Sequence, residues 1–201
     1  MDNILVTRPD SALLEDFIVK LSQAFALKDL GLVAYFLGIE VSYLDEGMHL
    51  SQTKYVKDLL SKASMENCKG SDTPLNTGLK LKRNVRGPLG QEFKNPTLYR
   101  SFVGGLQYLI LTRPDIAYLV HKLNQYLSSP TVQHWLARKK VLRYLQSTIT
   151  YGLYLRNDTT LEIRLTGYSD ADWAGDLDDR KSIGAYCIYL GNNLISWSSK
   201  K

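Results

Sequence analysis

Gly167-Tyr168-Ser169-Asp170-Ala171-Asp172-Trp173-Ala174-Gly175 continues a run, Leu161 to Thr166, that reads as a β-strand. A carboxylate at the end of a strand, beside small residues, is a common way to hold a divalent cation rigidly against a phosphate. One carboxylate does not make a metal site, so the reading depends on what surrounds it. Asp172 lies two residues beyond Asp170. It shares a face with Asp170 only if the strand continues that far.

The surroundings are electrostatically uneven. Five aspartates and no basic residue lie between Thr166 and Asp179. Six basic residues and one acidic residue lie between Leu79 and Arg100, and five basic residues with no acidic one between His121 and Thr150. A basic middle followed by an acidic patch suits a polyanion held in the middle and a metal held at the patch. Solvated helix faces and an acidic loop are the plainer alternative.

Composition narrows the class. The chain has 201 residues, 44% hydrophobic and 22% charged, with a net charge of +5. That is globular, and long enough for one large domain or two small ones. Cys68 and Cys187 give neither a disulfide framework nor metal spacing, and fit a reducing, intracellular compartment. The N-terminus lacks a basic-then-apolar signal pattern, and no apolar run approaches the roughly 20 residues that cross a bilayer. A soluble protein without a membrane partner is expected.

Taken in order, residues 1–7 read as the end of a strand. Pro9-Asp10-Ser11 caps a helix whose Leu13, Leu14, Phe17, Leu21 and Phe25 mark one buried face, closed at Leu30-Gly31. From Tyr35 to Tyr43 the residues alternate as in one strand, which Asp45-Glu46-Gly47 turns into a second, and this hairpin is expected to pack on the first helix. A helix from Thr53 to Met65 follows, then a basic stretch, 69–96, that reads as an exposed linker. Helices follow at 97–111, after Pro114, and from Thr131, where Trp135, Leu136, Leu142 and Leu145 are expected inward. Gly104-Gly105 in the first of these implies close helix packing. Arg138, Lys139, Lys140 and Arg143 lie within two turns of the last helix, placed for salt-sensitive, sequence-independent phosphate contacts. Short β-rich runs after Tyr151 then form a three-stranded antiparallel meander that stops as a further helix would begin. His49, His121 and His134 lack ligand spacing. The tryptophans, with Tyr35, Tyr108 and Tyr144, are expected in the core.

Six motifs in order carry a resemblance: Tyr35-Phe36-Leu37-Gly38-Ile39-Glu40, Leu50-Ser51-Gln52-Thr53-Lys54-Tyr55, Thr112-Arg113-Pro114-Asp115-Ile116, Leu142-Arg143-Tyr144-Leu145, Ser169 to Gly175, and Ile195-Ser196-Trp197-Ser198-Ser199-Lys200-Lys201. Together they resemble the reverse transcriptase and ribonuclease H region of copia-type (Pseudoviridae-like) retrotransposon polyproteins, over essentially the whole chain. The resemblance implies an α+β fold in four parts. Residues 1–68 would be the C-terminal part of a polymerase palm with its hairpin and following helix, and 69–96 a basic linker. Residues 97–150 would be a helical thumb and connection, and 151–201 the start of a ribonuclease H-like domain.

The resemblance also implies roles. Asp2 falls on the first carboxylate of the polymerase metal motif, where Asn3 replaces the second; an amide keeps an oxygen ligand and loses the charge. Phe36, Leu37 and Gly38 fall on the primer grip. Asp170 falls on the first ribonuclease H aspartate, with Asp172 as an auxiliary ligand. The implied cofactor is Mg2+ or Mn2+, and the implied partners are RNA–DNA or other duplexes and the remainder of a polyprotein. The partner carboxylates of both catalytic sets are expected outside the chain, which would make it a fragment inactive alone with residual nucleic-acid binding. A duplex-binding module without chemistry, and a polymerase completed by another chain, are the two alternatives.

Overall fold

The computed structural model describes residues 4–75, 80–83, 85–157 and 164–201. Asp2 and Asn3, and the expected strand residues 161–163, lie outside them.

Helix α1 (Ser11–Ala24) begins where the sequence places it. The Asp10 carboxylate accepts from the Ala12 and Leu13 N–H groups at 3.0 and 3.2 Å, satisfying two of the donors that every helix start leaves open. It ends earlier than expected, with Phe25 extended. None of its residues is buried, and Phe17 is 44% exposed. The expected buried face is therefore an apolar stripe open to solvent, and the hairpin does not cover it. Residues 4–7 form no strand.

The alternation from Tyr35 to Tyr43 conceals a turn. Strands β1 (Tyr35–Phe36) and β2 (Ile39–Leu44) are antiparallel, joined by Leu37 at φ 47° and Gly38 at φ 72°. Two successive positive φ values are the signature of the two-residue turn whose twist matches a hairpin. The Tyr108 hydroxyl donates to the Leu37 carbonyl, and a Cβ on Gly38 would stand 3.1 Å from the Tyr108 ring. The turn is thus pinned from a distant helix.

Strand β3 (Gly47–Ser51) pairs with β2 around the expected turn at Asp45-Glu46, and on its other edge with β4 (Gly152–Arg156). The four-stranded sheet β1-β2-β3-β4 thus draws a strand from beyond residue 151 into the N-terminal unit.

Four helices form the core: α2 (Thr53–Lys62), α3 (Pro96–Leu109), α4 (Ala117–Asn124) and α5 (Val132–Ser147). Their apolar stripes meet through Val56, Leu60, Phe102, Leu106, Val120 and Leu142, all buried. Gly105 is the glycine that lets α2 approach α3, since a Cβ there would lie 3.0 Å from Leu59 and 3.3 Å from the Tyr55 hydroxyl; Gly104 faces open space. Leu142 and Leu145 face inward as expected, but Leu136 is exposed and Trp135 half-buried, and His134, Ala137, Arg138 and Val141 complete the inward face of α5.

The 69–96 stretch does not stand free where it is described. Leu81 is buried in the core, Phe93 stacks on Trp135 at 4.2 Å, and the Arg83 N–H donates to the Asp178 carboxylate. Its apolar residues are too few to form a layer but enough to strap it onto the helices.

Strands β5 (Leu165–Asp172), β6 (Ile183–Leu190) and β7 (Asn193–Lys200) form the expected three-stranded antiparallel meander. β7 stays extended to Lys200. Asn193 joins the two sheets, accepting from the Arg156 N–H at 2.7 Å and donating to its carbonyl at 3.0 Å. Trp197 donates from Nε1 to the Ile110 carbonyl at 3.2 Å, tying β7 to the helices.

Candidate nucleic-acid interface and carboxylate strand

β5 runs on to Asp172, which pairs with Ile183 while Asp170 pairs with Ala185. The two aspartates therefore share one face, about 6.6 Å apart along the strand. Both are exposed. Trp173, expected in the core, is 89% exposed at the strand end, and Tyr35 is also exposed. Tyr108 and Tyr144 are half-buried, each with its hydroxyl committed to a hydrogen bond.

The acidic loop contains a buried residue that the sequence reading missed. Asp176 is fully buried and takes Lys122 Nζ at 2.6 Å and Lys201 Nζ at 3.0 Å. Its other oxygen accepts from the Asp178 N–H at 2.8 Å. Burial pushes its carboxyl up, but the hydrogen bonds from Lys122, the Asp178 backbone and Lys201 prevail and hold it well below the ordinary range. Asp176 is a clamp between the loop, α4 and the C-terminal lysine. An aspartate followed at two and three residues by more aspartates was the available signal, since that spacing lets the first carboxylate accept from the following N–H groups.

Arg113, within the Thr112–Ile116 motif, is the centre of a second polar knot. Its guanidinium donates to both Asp115 oxygens at 3.0 and 2.7 Å, and to the Thr148 carbonyl and hydroxyl at 3.0 and 2.7 Å. The Tyr144 hydroxyl completes the knot at Asp115, at 2.8 Å. Burial pushes the Asp115 carboxyl up, while Arg113 and the Tyr144 hydroxyl draw it below its usual value. Thr112 donates to Gln52 at 2.8 Å. Residues 112–115 therefore anchor three segments together.

The four basic residues of α5 separate by helical phase. Lys139 and Arg143 are exposed and Lys140 is half-exposed. Arg143 donates from Nε to the Lys69 carbonyl at 2.7 Å and Ser147 donates to the Ser71 carbonyl at 2.6 Å, so the Lys69–Ser71 backbone runs beside this row. The bond to Lys69 uses one of five guanidinium donors. Arg138 departs from the expectation. It is 1% exposed, with its guanidinium 3.7 Å from the Trp135 ring and 4.0 Å from the Phe102 ring, out of reach of a surface phosphate. It occupies the core phase with His134, Val141 and Leu145, a signal the helical spacing did contain.

Phe36 is half-buried, Leu37 is 69% exposed at the hairpin tip, and Gly38 supplies the turn's second positive φ. His134 is fully buried at the start of α5. The Thr131 N–H donates to its Nδ1 at 2.9 Å and its ring stacks on Tyr126 at 3.8 Å, a packing role.

Asp170 and Asp172 do not by themselves fit the implied metal centre. Two carboxylates set −2 against the +4 of a two-cation site, and the residues opposite them, Ala185 and Ile183, bring no donor. Among the described residues no group of three or more His, Cys, Asp or Glu side chains is placed to hold a metal ion. No helix of the described residues is long and apolar enough to cross a membrane.

Known proteins give a consistent picture. A family model for reverse transcriptase (RNA-dependent DNA polymerase) matches residues 1–77. Over its whole length the chain is 46% identical to the retrovirus-related Pol polyprotein from transposon RE2 of Arabidopsis thaliana, of which it spans 13%. It is 36% identical to the corresponding polyprotein from transposon TNT 1-94 of Nicotiana tabacum, of which it spans 15%. It is also 43% identical to an uncharacterized mitochondrial protein of Arabidopsis thaliana and covers 81% of it. No solved structure matches the chain. With its whole length aligned to these relatives, the chain belongs to the copia-type retrotransposon Pol polyprotein family.

Proposed function

We propose that this chain is a duplex-gripping part of a copia-type reverse transcriptase and ribonuclease H segment. It holds RNA–DNA or another duplex by sequence-independent phosphate contacts. Carboxylates from elsewhere in a Pol polyprotein complete any bond-making centre. The observation that carries the reading is the row of Lys139, Lys140 and Arg143 on α5, beside the Lys69–Ser71 backbone. A rigid helix presenting cations at successive turns can follow a phosphate backbone without reading bases.

In this reading α1 and the β1–β2–β3 hairpins belong to the palm, with Phe36, Leu37 and Gly38 as the primer grip. Helices α3 to α5 are the thumb and connection, and β5 to β7 the ribonuclease H-like sheet. Asp2 and Asp170 are single members of the two catalytic sets, with Asp172 auxiliary to the second. The match of residues 1–77 to reverse transcriptase supports the first assignment, and the full-length likeness to Pol polyproteins supports the order of the others.

The test is primer extension on an RNA template with magnesium or manganese, run beside hybrid binding. The reading predicts binding without extension. Extension abolished by Asp2→Ala would overturn it, because the chain would then assemble a polymerase metal site by itself.

A further inference from the structure

The β1–β2 turn is held in a conformation that its own ladder is too short to impose. β1 contributes two residues, so two pairs, Tyr35 with Glu40 and Phe36 with Ile39, close the hairpin. A ladder of that length is marginal in water. Leu37 nevertheless stands at φ 47°, a backbone region that disfavours any side chain, and its side chain is 69% exposed. Such an outlier persists only where its surroundings fix it, and it points to a use for the exposed group.

Two links to the helices supply what the ladder lacks. Near the start of β2 the Glu40 carboxylate accepts the Lys54 N–H at 2.6 Å, at the beginning of α2, where Gln52 makes no side-chain cap. At the tip the Tyr108 hydroxyl, in the last turn of α3, donates to the Leu37 carbonyl. The Tyr108 ring lies so close to Gly38 that a Cβ there would stand 3.1 Å from it. Tyr108 is set in turn by Tyr55 of α2, with ring centres 5.2 Å apart and planes at 66°. Gly105, three residues earlier on α3, makes room for Tyr55, since a Cβ there would lie 3.3 Å from the Tyr55 hydroxyl. The tip is thus fixed against α2 and α3, while the Leu37 side chain stays largely in solvent.

We propose that Tyr108 is the positioning residue of the hairpin tip, holding Leu37-Gly38 preformed so that the exposed Leu37 side chain meets the free 3′ end of a nucleic-acid strand. This role rests on the reading of Phe36, Leu37 and Gly38 as a grip on the primer. Loss of the hydroxyl lets the tip leave its conformation, and binding of a strand end must then restore it. A closed duplex held by α5 does not meet the tip and is indifferent to Tyr108.

The test is fluorescence anisotropy titration of the whole chain with two RNA–DNA hybrids of equal length, one with a recessed DNA 3′ end and one closed at both ends by loops. The native chain should prefer the recessed end. Tyr108→Phe keeps the ring and removes the donor. It should weaken the recessed-end complex about fivefold, the net worth of one hydrogen bond, and leave the closed hybrid unchanged. In a Leu37→Ala background, which removes the gripping side chain, Tyr108→Phe should add nothing, because the tyrosine acts through Leu37. In the free chain, amide exchange across the Tyr35–Glu40 and Phe36–Ile39 pairs should quicken by about the same factor in Tyr108→Phe. Weakening of both hybrids alike or of neither, full additivity with Leu37→Ala, or unchanged exchange overturns the role. Salt-dependent binding of both hybrids without preference for the recessed end overturns it and leaves the grip of α5 standing. Binding of neither hybrid overturns both.

Discussion

Lowering the pH from 7 to 5 is expected to destabilise the helical core through His134. This ring is fully buried, stacked on Tyr126, and accepts the Thr131 N–H at Nδ1, so the fold requires its neutral form. Burial drives its pKa down from 6.5 to about 4; the Lys82 backbone and the Asp178 carboxylate pull the other way, and Arg83 adds to the depression. A group with a depressed cationic pKa contributes stability that is complete above its unfolded value and lost as pH falls below it. Between 6.5 and 4 the unfolded chain binds one proton more than the folded one, and stability falls by about 1.4 kcal/mol per pH unit. The whole window is worth on the order of 3 kcal/mol, and about 2 kcal/mol of it is gone by pH 5. The assay is urea unfolding followed by circular dichroism at pH 7, 6 and 5, for the native chain and His134→Gln. Glutamine at this third helical position still reaches back to the Thr131 N–H but does not titrate. The variant should lose about 2 kcal/mol less than the native chain over this range. Parallel curves would refute the reasoning, since His134 would then titrate alike in both states.

Other substitutions probe the polar knots and the hairpin. Arg113→Met should cost about 3 kcal/mol in the same urea assay, because it leaves Asp115 and the Thr148 carbonyl without their shared donor. Asp176→Asn should cost about 3 kcal/mol at pH 7 by stranding buried Lys122. With its carboxyl depressed, Asp176 contributes fully above the ordinary carboxylate range and loses that contribution only as pH falls beneath it, so the native-to-variant difference should shrink in strong acid and not between pH 7 and 5. Gly38→Ala should lower the urea midpoint by the equivalent of about 1–2 kcal/mol, since φ 72° disfavours any Cβ and this one would press on Tyr108.

Hydrophobic period made much of this architecture legible. The stripes of α2, α3 and α4 each had a burial partner inside the chain, so pattern and packing agreed, whereas β5 is exposed along almost its whole length. The stripe of α1 was equally regular, yet periodicity records amphipathicity and not what lies across from it. The Leu37-Gly38 turn escaped because a two-residue turn keeps alternation in step on both sides. Arg138 shows the converse failure. Its charge drew it into a surface cluster, whereas its spacing from His134, Val141 and Leu145 placed it inside. Whether Asp170 and Asp172 share a face turned on how far the strand runs, which the sequence left open, and β5 runs to Asp172. Asp176, Lys122 and Lys201 lie too far apart in sequence for any local pattern to join them.

The salt dependence of RNA–DNA hybrid binding tests the central claim most directly. If Lys139, Lys140 and Arg143 each meet one phosphate, log K should fall against log salt with a slope of about −2.7, and Arg143→Gln should reduce that slope by about 0.9 whatever the sequence of the hybrid. Binding that ignores salt, or a slope unchanged when all three are replaced by glutamine, would contradict a phosphate grip on α5.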